Sequence, residues 1–247
     1  MVKLKMLALA ALLAGAFAPA FSLAQDAAQA APEVGINYTD KAGWASKKFM
    51  VSAANPLAVE AGYTILRQGG SAIDAAIATQ LVLTLVEPQS SGIGGGAFLV
   101  HYDGKDVQAF DGRETAPAKA ADTLFQKPDG TPVSRTEGVV GGRSVGAPGV
   151  LRMLEMAHKE HGKLPWKALF APAIELSERG FPVSERLNGM LIWDKHIRKD
   201  PVAAAYFYGP DGKPWPVGHL LKNHELANTL RAIAAGGADA FYKGYIA

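Results

Sequence analysis

The sequence predicts a layered α/β fold of which this chain supplies only part of the sheet. Strand-like apolar runs fall before Pro148, and helical patterns dominate after it. Residues 72–86 form a predicted helix that is apolar nearly all round, so it needs cover on more than one side. With 247 residues and 49% hydrophobic composition, the chain can build a substantial core.

The first 24 residues have the pattern of a secretory signal peptide. Lys3 and Lys5 precede an apolar stretch at residues 6–17, and a small-x-small cleavage site ends at Ala24. The stretch is too short for a stable membrane span, and a retained amphipathic or membrane-anchoring N-terminus is the alternative. The predicted division of the chain is a signal peptide at 1–24, a flexible leader at 25–46 and one domain at 47–247.

Charge and residue types exclude several classes of function. The formal charge of +2 falls to zero without residues 1–24, because Lys3 and Lys5 leave with no acidic residue. A neutral chain has no basic stripe for nucleic acid or acidic lipid, so we expect neither as a partner. No cysteine is present, which excludes disulfides, thiol nucleophiles and thiolate metal sites. We expect a periplasmic or secreted protein that has no membrane span when mature and uses no metal or cofactor.

The domain is predicted to open with a strand and two capped helices. Residues 49–54 are a short apolar run typical of a strand. Asn55, followed by proline, is placed to cap a helix that ends about four turns later at Gly69. Ser71 and Asp74 have the spacing of a capping box, which starts the apolar helix described above.

A glycine-rich loop at 92–96 leads into a predicted β-hairpin. Its strands cover residues 97–102 and 107–110, and Asp103-Gly104 is a dipeptide that favours the tight turn between them. Dinucleotide-binding loops run from a strand into a helix, whereas this loop runs from a helix into a strand and has no Walker lysine. We therefore assign its glycines to positive φ angles and close backbone approach, and not to phosphate binding.

The second half of the chain is predicted to be mostly helical. Residues 131–145 indicate loops and short strands, and residues 206–218 form an aromatic loop rich in proline and glycine. The predicted helices are 149–161, 165–179, 184–198 and 223–235.

Ser144 lies in a G-x-S-x-G pattern, which is the nucleophile elbow of α/β hydrolases. The groups that would complete a triad in that order are Asp194 or Asp200 and His219 or His224. An elbow enters its helix directly after the serine, however, and here residues 147–149 intervene. A glycine-rich turn is the alternative interpretation, and it fits the spacing better.

His158 and His161 lie three residues apart on a predicted helix and could share a metal ion. Lys159, Glu160 and Lys163 occupy the same turns, so a solvated, charged helix face is the preferred interpretation. Neither histidine is predicted to act in catalysis.

Arg113 lies in the segment DGRETAP, at residues 111–117, directly after the predicted hairpin. An arginine in this position can bind a ligand carboxylate with two parallel hydrogen bonds. An ordinary ion pair with Glu114 or Asp111 explains the same spacing equally well. The residues alone leave both interpretations open.

Several motifs, in order and in spacing, resemble the γ-glutamyltransferase family, also called γ-glutamyltranspeptidase or glutathione hydrolase. The resemblance covers nearly everything from about residue 47 to residue 247. The matching segments are GSAIDAAIA at 70–78, EP at 87–88, GIGGG at 92–96, DGRETAP at 111–117, SVGAPG at 144–149, HGKLPW at 161–166, APAIELSERGFPV at 171–183 and AFYKG at 240–244.

The resemblance implies an N-terminal-nucleophile hydrolase with a four-layer αββα fold. Members cut one precursor into a large and a small subunit, and the threonine freed by the cut attacks the γ-glutamyl amide, activated by its own amino group. The γ-glutamyl group then passes to water, an amino acid or a peptide. By motif, Arg113 is the residue that binds the α-carboxylate of this group. The family uses no serine at position 144.

The resemblance also implies that this chain is an incomplete large subunit. We expect the nucleophilic threonine to lie beyond the chain end, so that no catalytic residue is contained here and the chain alone is inactive. The expected partners are a small-molecule γ-glutamyl substrate, such as glutathione, and the small subunit from the same precursor. Glutamine and an acylated antibiotic precursor stay open as natural substrates. The alternative functions are a non-catalytic relic or binding domain of the same fold, and a serine hydrolase that uses Ser144.

Overall fold

Helices dominate residues 43–247, and the strands form two separate two-stranded sheets. The structure is a computed structural model that describes residues 42, 43 and 45–247. The predicted signal peptide and most of the predicted leader lie outside the described residues. Within the described part, no helix is both long enough and apolar enough to cross a membrane.

The elements follow one another in a simple order. The helices are α1 (Pro56–Arg67), α2 (Ala72–Val86), α3 (Arg135–Val139), α4 (Val150–His161), α5 (Ala171–Arg179), α6 (Glu185–Trp193), α7 (Pro201–Phe207), α8 (His224–Gly236) and α9 (Asp239–Tyr242). The strands are β1 (Ala97–Tyr102), β2 (Val107–Gly112), β3 (Phe181–Pro182) and β4 (Leu220–Leu221). Strands β1 and β2 are antiparallel, as are β3 and β4.

The predicted caps of the first two helices are confirmed. The Asn55 Oδ1 atom accepts a hydrogen bond of 3.0 Å from the Leu57 N–H, which satisfies one of the free donors at the start of α1. At the start of α2, the Asp74 N–H donates to Ser71 Oγ at 3.1 Å, and the Ser71 N–H donates to Asp74 Oδ2 at 2.9 Å. This reciprocal pair is the predicted capping box.

Helix α2 lies in the core, as its sequence predicts. Ile77, Leu81 and Val82 are fully buried, and the helix packs against α1, α4 and α5. Each such side chain contributes about 1.5–3 kcal/mol relative to an exposed position. Asp74 is fully buried as well, and its Oδ2 atom also accepts the N–H groups of Lys163 and Leu164 at 2.9 and 3.0 Å.

Two predicted elements differ in the structure near their starts. Residues 49–54 form no strand and pair with no strand among the described residues, so the apolar run packs without ladder hydrogen bonds. The predicted helix at 165–179 begins as a 3-10 helix, Trp166–Phe170, and α5 starts only at Ala171. Pro172 explains the change, because it has no N–H to continue the earlier hydrogen-bond pattern.

The predicted helix at 184–198 ends early, at Trp193. Asp194 leaves the helix, and its Oδ2 atom accepts the N–H groups of His196 and Ile197 at 3.0 and 2.7 Å. Residues 131–145 hold α3 and a short 3-10 helix in place of the predicted short strands. A second capping box, formed by Ser134 and Glu137, explains α3.

One face of the β1–β2 hairpin is open. On the inner side, Phe110 is buried in the core. On the outer side, four large apolar residues are between 63% and 71% exposed, namely Phe98, Val100, Tyr102 and Val107. An apolar sheet face of this kind is typical of a surface that another layer covers. Among the described residues, this hairpin face is therefore uncovered, whereas helix α2 is buried.

A network of charged side chains connects helix α9 to helix α4. Arg152 donates from Nη2 to Asp239 Oδ1 at 2.5 Å and from Nη1 to Glu155 Oε2 at 3.0 Å. Lys243 donates to Asp239 Oδ2 at 3.0 Å. The hydrogen bond from Arg152, helped by Lys243, lowers the pKa of Asp239 from 3.8 to about 2.

The depressed pKa of Asp239 predicts a loss of stability in acid. A carboxyl group whose pKa is lower in the folded state stabilises the fold above its unfolded value and loses that effect as the pH falls through the folded value. We expect the stability difference between the wild type and Asp239→Asn to shrink between about pH 4 and pH 2. Melting temperatures of both proteins across this range test the prediction, and a difference that stays constant would contradict it.

Candidate functional site

Three segments that are distant in sequence lie close together at the open end of the β1–β2 hairpin, where Ala97 pairs with Gly112. They are the glycine-rich loop at 92–96, the segment at 113–117 that follows β2, and the segment at 143–149 that precedes α4. Thr115 and Ala147 exchange two backbone hydrogen bonds, of 3.2 and 2.8 Å. The N–H of Gly149 donates to the Gly95 carbonyl at 3.1 Å. All of these are hydrogen bonds between backbone groups, so they connect the three segments without using side-chain atoms.

Two glycines permit this close approach. A Cβ atom on Gly149 would lie 2.4 Å from the Gly112 carbonyl oxygen and 2.5 Å from that of Arg113. A Cβ atom on Gly96 would lie 2.5 Å from Glu114 Oε2. The prediction of close backbone approach in the glycine-rich loop is therefore confirmed, whereas no glycine of residues 92–96 has a positive φ angle.

Arg113 lies at the end of β2 and keeps 57% of its side chain exposed. Its Nη1 atom is 3.2 Å from Glu114 Oε2, so the ion pair considered from the sequence does form. The geometry is not that of a hydrogen bond, however, and among the described residues the buried Glu114 Oε2 atom accepts none. Asp111 instead accepts the backbone N–H of Arg113 at 2.9 Å. The guanidinium group is thus oriented by one carboxylate and still faces solvent.

A cavity of about 450 Å³ opens beside this arginine. Its walls contain residues from all three segments and from the turn at 120–125. The charged residues in the walls are Arg113, Glu114 and Arg143. Such a cavity is large enough for a small ligand, and two guanidinium groups with one carboxylate favour an anionic one.

The structure does not assemble a triad around Ser144. The Ser144 hydroxyl donates to the Val139 carbonyl at 3.1 Å, and within the described residues it bonds to no histidine. His219 stacks on Trp215, with ring centroids 4.1 Å apart, and His224 begins α8. Asp194 and Asp200 cap backbone N–H groups. Ser144 thus lines the cavity, and in the part of the chain that the structure describes no base contacts its hydroxyl.

His158 and His161 also have separate roles. His158 Nε2 lies 2.8 Å from the Leu164 carbonyl and 3.6 Å from Asp74 Oδ1, whereas His161 Nε2 lies 2.7 Å from Gln108 Oε1. Across the described part of the chain, no three side chains are grouped so that they could hold a metal ion. The prediction of a solvated face is wrong for these two residues, because their side chains are only 15% and 26% exposed and each contacts a protein acceptor.

Two cavity residues were missed as site residues in the sequence. The sequence pattern indicates Glu114 only as an ion-pair partner for Arg113, and it gives no signal for Arg143 itself. The repeated glycines around residues 142–149 were a usable signal, because they mark a place where two backbones approach closely. Nothing in the linear spacing, however, connects Arg143 to Arg113.

Comparison with known proteins gives a consistent family. A family model described as gamma-glutamyltranspeptidase matches residues 58–247. The glutathione hydrolase proenzyme of Bacillus subtilis (strain 168) is 42% identical over 203 residues, which are 81% of this chain and 34% of that protein. The chain thus spans about a third of the length of the curated relatives it matches.

Solved structures confirm the predicted fold class. The γ-glutamyltranspeptidase of Helicobacter pylori matches with a TM-score of 0.79 and 33% identity, over 83% of this chain and 59% of that chain. A cephalosporin acylase from Bacillus halodurans matches with a TM-score of 0.65 and 32% identity, over 85% of this chain and 41% of that chain. The chain therefore has the α/β fold of N-terminal-nucleophile hydrolases, and contains only part of it.

Proposed function

Because this chain belongs to the γ-glutamyltranspeptidase family, we propose that it is part of a γ-glutamyltransferase and glutathione hydrolase. The protein would cleave γ-glutamyl amides and pass the γ-glutamyl group to water, an amino acid or a peptide. Family membership at about 40% identity supports this activity. The predicted signal peptide supports a periplasmic or secreted location.

We propose that Arg113 binds the α-carboxylate of the γ-glutamyl group. The observation that carries this proposal is its position, since a half-exposed guanidinium group lines a cavity of about 450 Å³ and is oriented by Glu114. An arginine fork matches the planar carboxylate with two parallel hydrogen bonds. Binding there would hold the donor while its amide carbonyl is attacked from outside these residues.

The nucleophile is proposed to be a threonine of a small subunit cut from the same precursor. The name of the B. subtilis relative, a proenzyme, supports processing of a precursor. The open hairpin face supports a neighbouring layer, because Phe98 and Val100 are about 70% exposed there. The threonine hydroxyl would attack the amide carbonyl while its own amino group takes the proton. The C–N bond would then break, the leaving amine would depart with that proton, and the γ-glutamyl group would remain as an ester of the threonine. Water or an acceptor amine would attack this ester and release the γ-glutamyl group.

The first experiment is an activity assay on the protein expressed from the complete reading frame that contains this chain. We expect it to release product from a γ-glutamyl anilide at a rate roughly tenfold or more above that for an α-glutamyl anilide. The 247-residue chain expressed alone is the control, and it should release none. Equal rates on both anilides, or no release by the complete protein, would contradict the proposed function.

A reading frame that stops at codon 247 in the genome would favour the relic over the enzyme. A frame that runs on to a segment beginning with threonine would support the enzyme. The sequence of the DNA downstream of codon 247 therefore decides which protein the assay should use.

A further inference from the structure

We infer that Arg143 binds a second carboxylate, and that the cavity selects γ-glutamyl donors whose leaving group ends in a free carboxylate. This inference rests on the proposed function of the site. It assigns Arg143 to the substrate-binding site and defines the class of donor that the site prefers. Such donors are γ-glutamyl peptides with an unmodified C-terminus.

The first step is the position of the Arg143 guanidinium. Its Nη1 atom donates to the Leu124 carbonyl at 2.8 Å, and Leu124, Arg143 and Arg113 all line the same cavity. The bond to a backbone carbonyl holds the group against the cavity wall without neutralising its charge. Its remaining N–H donors stay available, since an arginine carries five.

The second step is that no carboxylate in the described part of the chain pairs with Arg143. Glu137 is the acid whose charge interacts with it, and the first cause of the low pKa of Glu137 is a hydrogen bond with Ser134. Glu137 Oε2 accepts the Ser134 N–H at 2.9 Å, so this carboxylate is occupied by its capping box. The Ser144 hydroxyl next to Arg143 is engaged with the Val139 carbonyl.

The third step is the charge balance of the cavity. Arg113 and Glu114 already form an ion pair of 3.2 Å, which is neutral as a unit. The α-amino acid end of a γ-glutamyl group is a zwitterion and is also neutral. When that end occupies Arg113, one positive charge is left, and it belongs to Arg143. A ligand that matches the cavity therefore carries one further negative charge.

The fourth step is the distribution of polar and apolar wall. Leu124, Phe125 and Ala120 line the cavity together with the two arginines. Small-molecule sites combine an apolar wall with a few polar groups that set the orientation. Here the apolar residues would contact the body of the leaving group while Arg143 binds its end.

The test compares two donors that differ in one charge. One is γ-glutamyl-cysteinyl-glycine with a free C-terminal carboxylate, and the other is the same tripeptide with a C-terminal amide. For the complete protein we expect Arg143→Gln to lower kcat/KM on the free carboxylate by about 10- to 100-fold. On the amide we expect a change of less than about threefold. Glutamine removes the charge and keeps a polar side chain, but its amide nitrogen ends two bonds short of the Nη1 atom that contacts Leu124.

Three further variants complete the design. Arg143→Lys should recover part of the loss on the free carboxylate, because it keeps a positive charge. Arg135→Gln changes an exposed arginine of α3 that does not line the cavity, and neither donor should respond. Arg113→Ala should lower kcat/KM for both donors alike.

The outcomes separate the two proposals. An equal effect of Arg143→Gln on both donors, or none on either, overturns the role of Arg143, and a loss with Arg113→Ala then leaves the proposed function standing. If Arg113→Ala changes neither donor, the proposed site itself is wrong. A selective loss on the free carboxylate, partly recovered by lysine, supports the inference.

Discussion

Replacement of Arg113 with alanine is expected to lower kcat/KM for a γ-glutamyl anilide by roughly 30- to 700-fold. The figure corresponds to the loss of about 2–4 kcal/mol, which is what a charged, bidentate contact contributes in a site. The effect should fall mainly on KM, because the contact holds the non-reacting end of the donor in both ground state and transition state. Steady-state kinetics of the complete protein measure both constants.

Lysine at position 113 gives a matched comparison. It keeps the positive charge but cannot form two parallel hydrogen bonds, so we expect its kcat/KM to lie between those of the wild type and the alanine variant. In the wild type, Glu114 forms an ion pair of 3.2 Å with the guanidinium group. Alanine at position 113 removes this ion pair, and lysine changes its geometry. Unchanged kcat and KM in both variants would rule out Arg113 as the carboxylate-binding residue.

Replacement of Asp74 with alanine is expected to lower the free energy of unfolding by about 3–5 kcal/mol. Asp74 is fully buried, and its Oδ2 atom accepts the N–H groups of Ser71, Lys163 and Leu164. Alanine would leave these donors without their acceptor and would open a cavity at the start of α2. The same change would release the turn at 163–164 that leads from α4 towards α5.

The chain offers a control for Asp74 that has the same motif in an exposed place. Glu137 forms a capping box with Ser134 at the start of α3, where both residues are exposed. Glu137→Ala should cost clearly less than Asp74→Ala, because Glu137 is exposed to solvent. Asp74→Asn keeps an acceptor oxygen and should cost less than alanine. Urea unfolding of the four proteins tests this ranking, and equal costs for the two alanine variants would contradict it.

The parts of the fold that could be predicted from the sequence depend on local interactions. Asn55 and Ser71 cap helices through atoms two or three residues away, and Asp103-Gly104 closes a hairpin between adjacent strands. The energies of such contacts are set within one turn of the chain, so the residue pattern contains them. The buried helix α2 was predictable for the same reason, because it is apolar on every side.

The errors have two origins, a missing long-range partner and local signals that the predictions did not use. Residues 49–54 have the composition of a strand, but a strand needs a partner, and no partner strand lies among the described residues. The helix predicted at 184–198 was extended through Asp194, whose side chain instead caps the next turn. Helix α7 was missed although Asp200 and Pro201 mark its start, because the aromatic residues after it resemble a loop.

Of the two arginines that line the candidate cavity, the sequence pointed only to Arg113. Arg113 follows directly from the hairpin and the DGRETAP segment, whereas Arg143 joins the same cavity through the Thr115–Ala147 backbone pairing. That pairing links residues 32 positions apart, and no local pattern encodes it. The close approach at Gly149 is a tertiary feature of the same kind.

The most direct test of the proposed role of Arg113 measures kcat/KM for two donors with two proteins, the wild type and Arg113→Ala. The donors are the γ-glutamyl anilide and the 4-aminobutyryl anilide, which lacks only the α-carboxylate. If Arg113 binds that carboxylate, the wild type should prefer the γ-glutamyl donor by roughly 30- to 700-fold in kcat/KM. In Arg113→Ala the preference should fall to within about threefold of none. A variant that keeps the full preference of the wild type would show that another group binds the α-carboxylate.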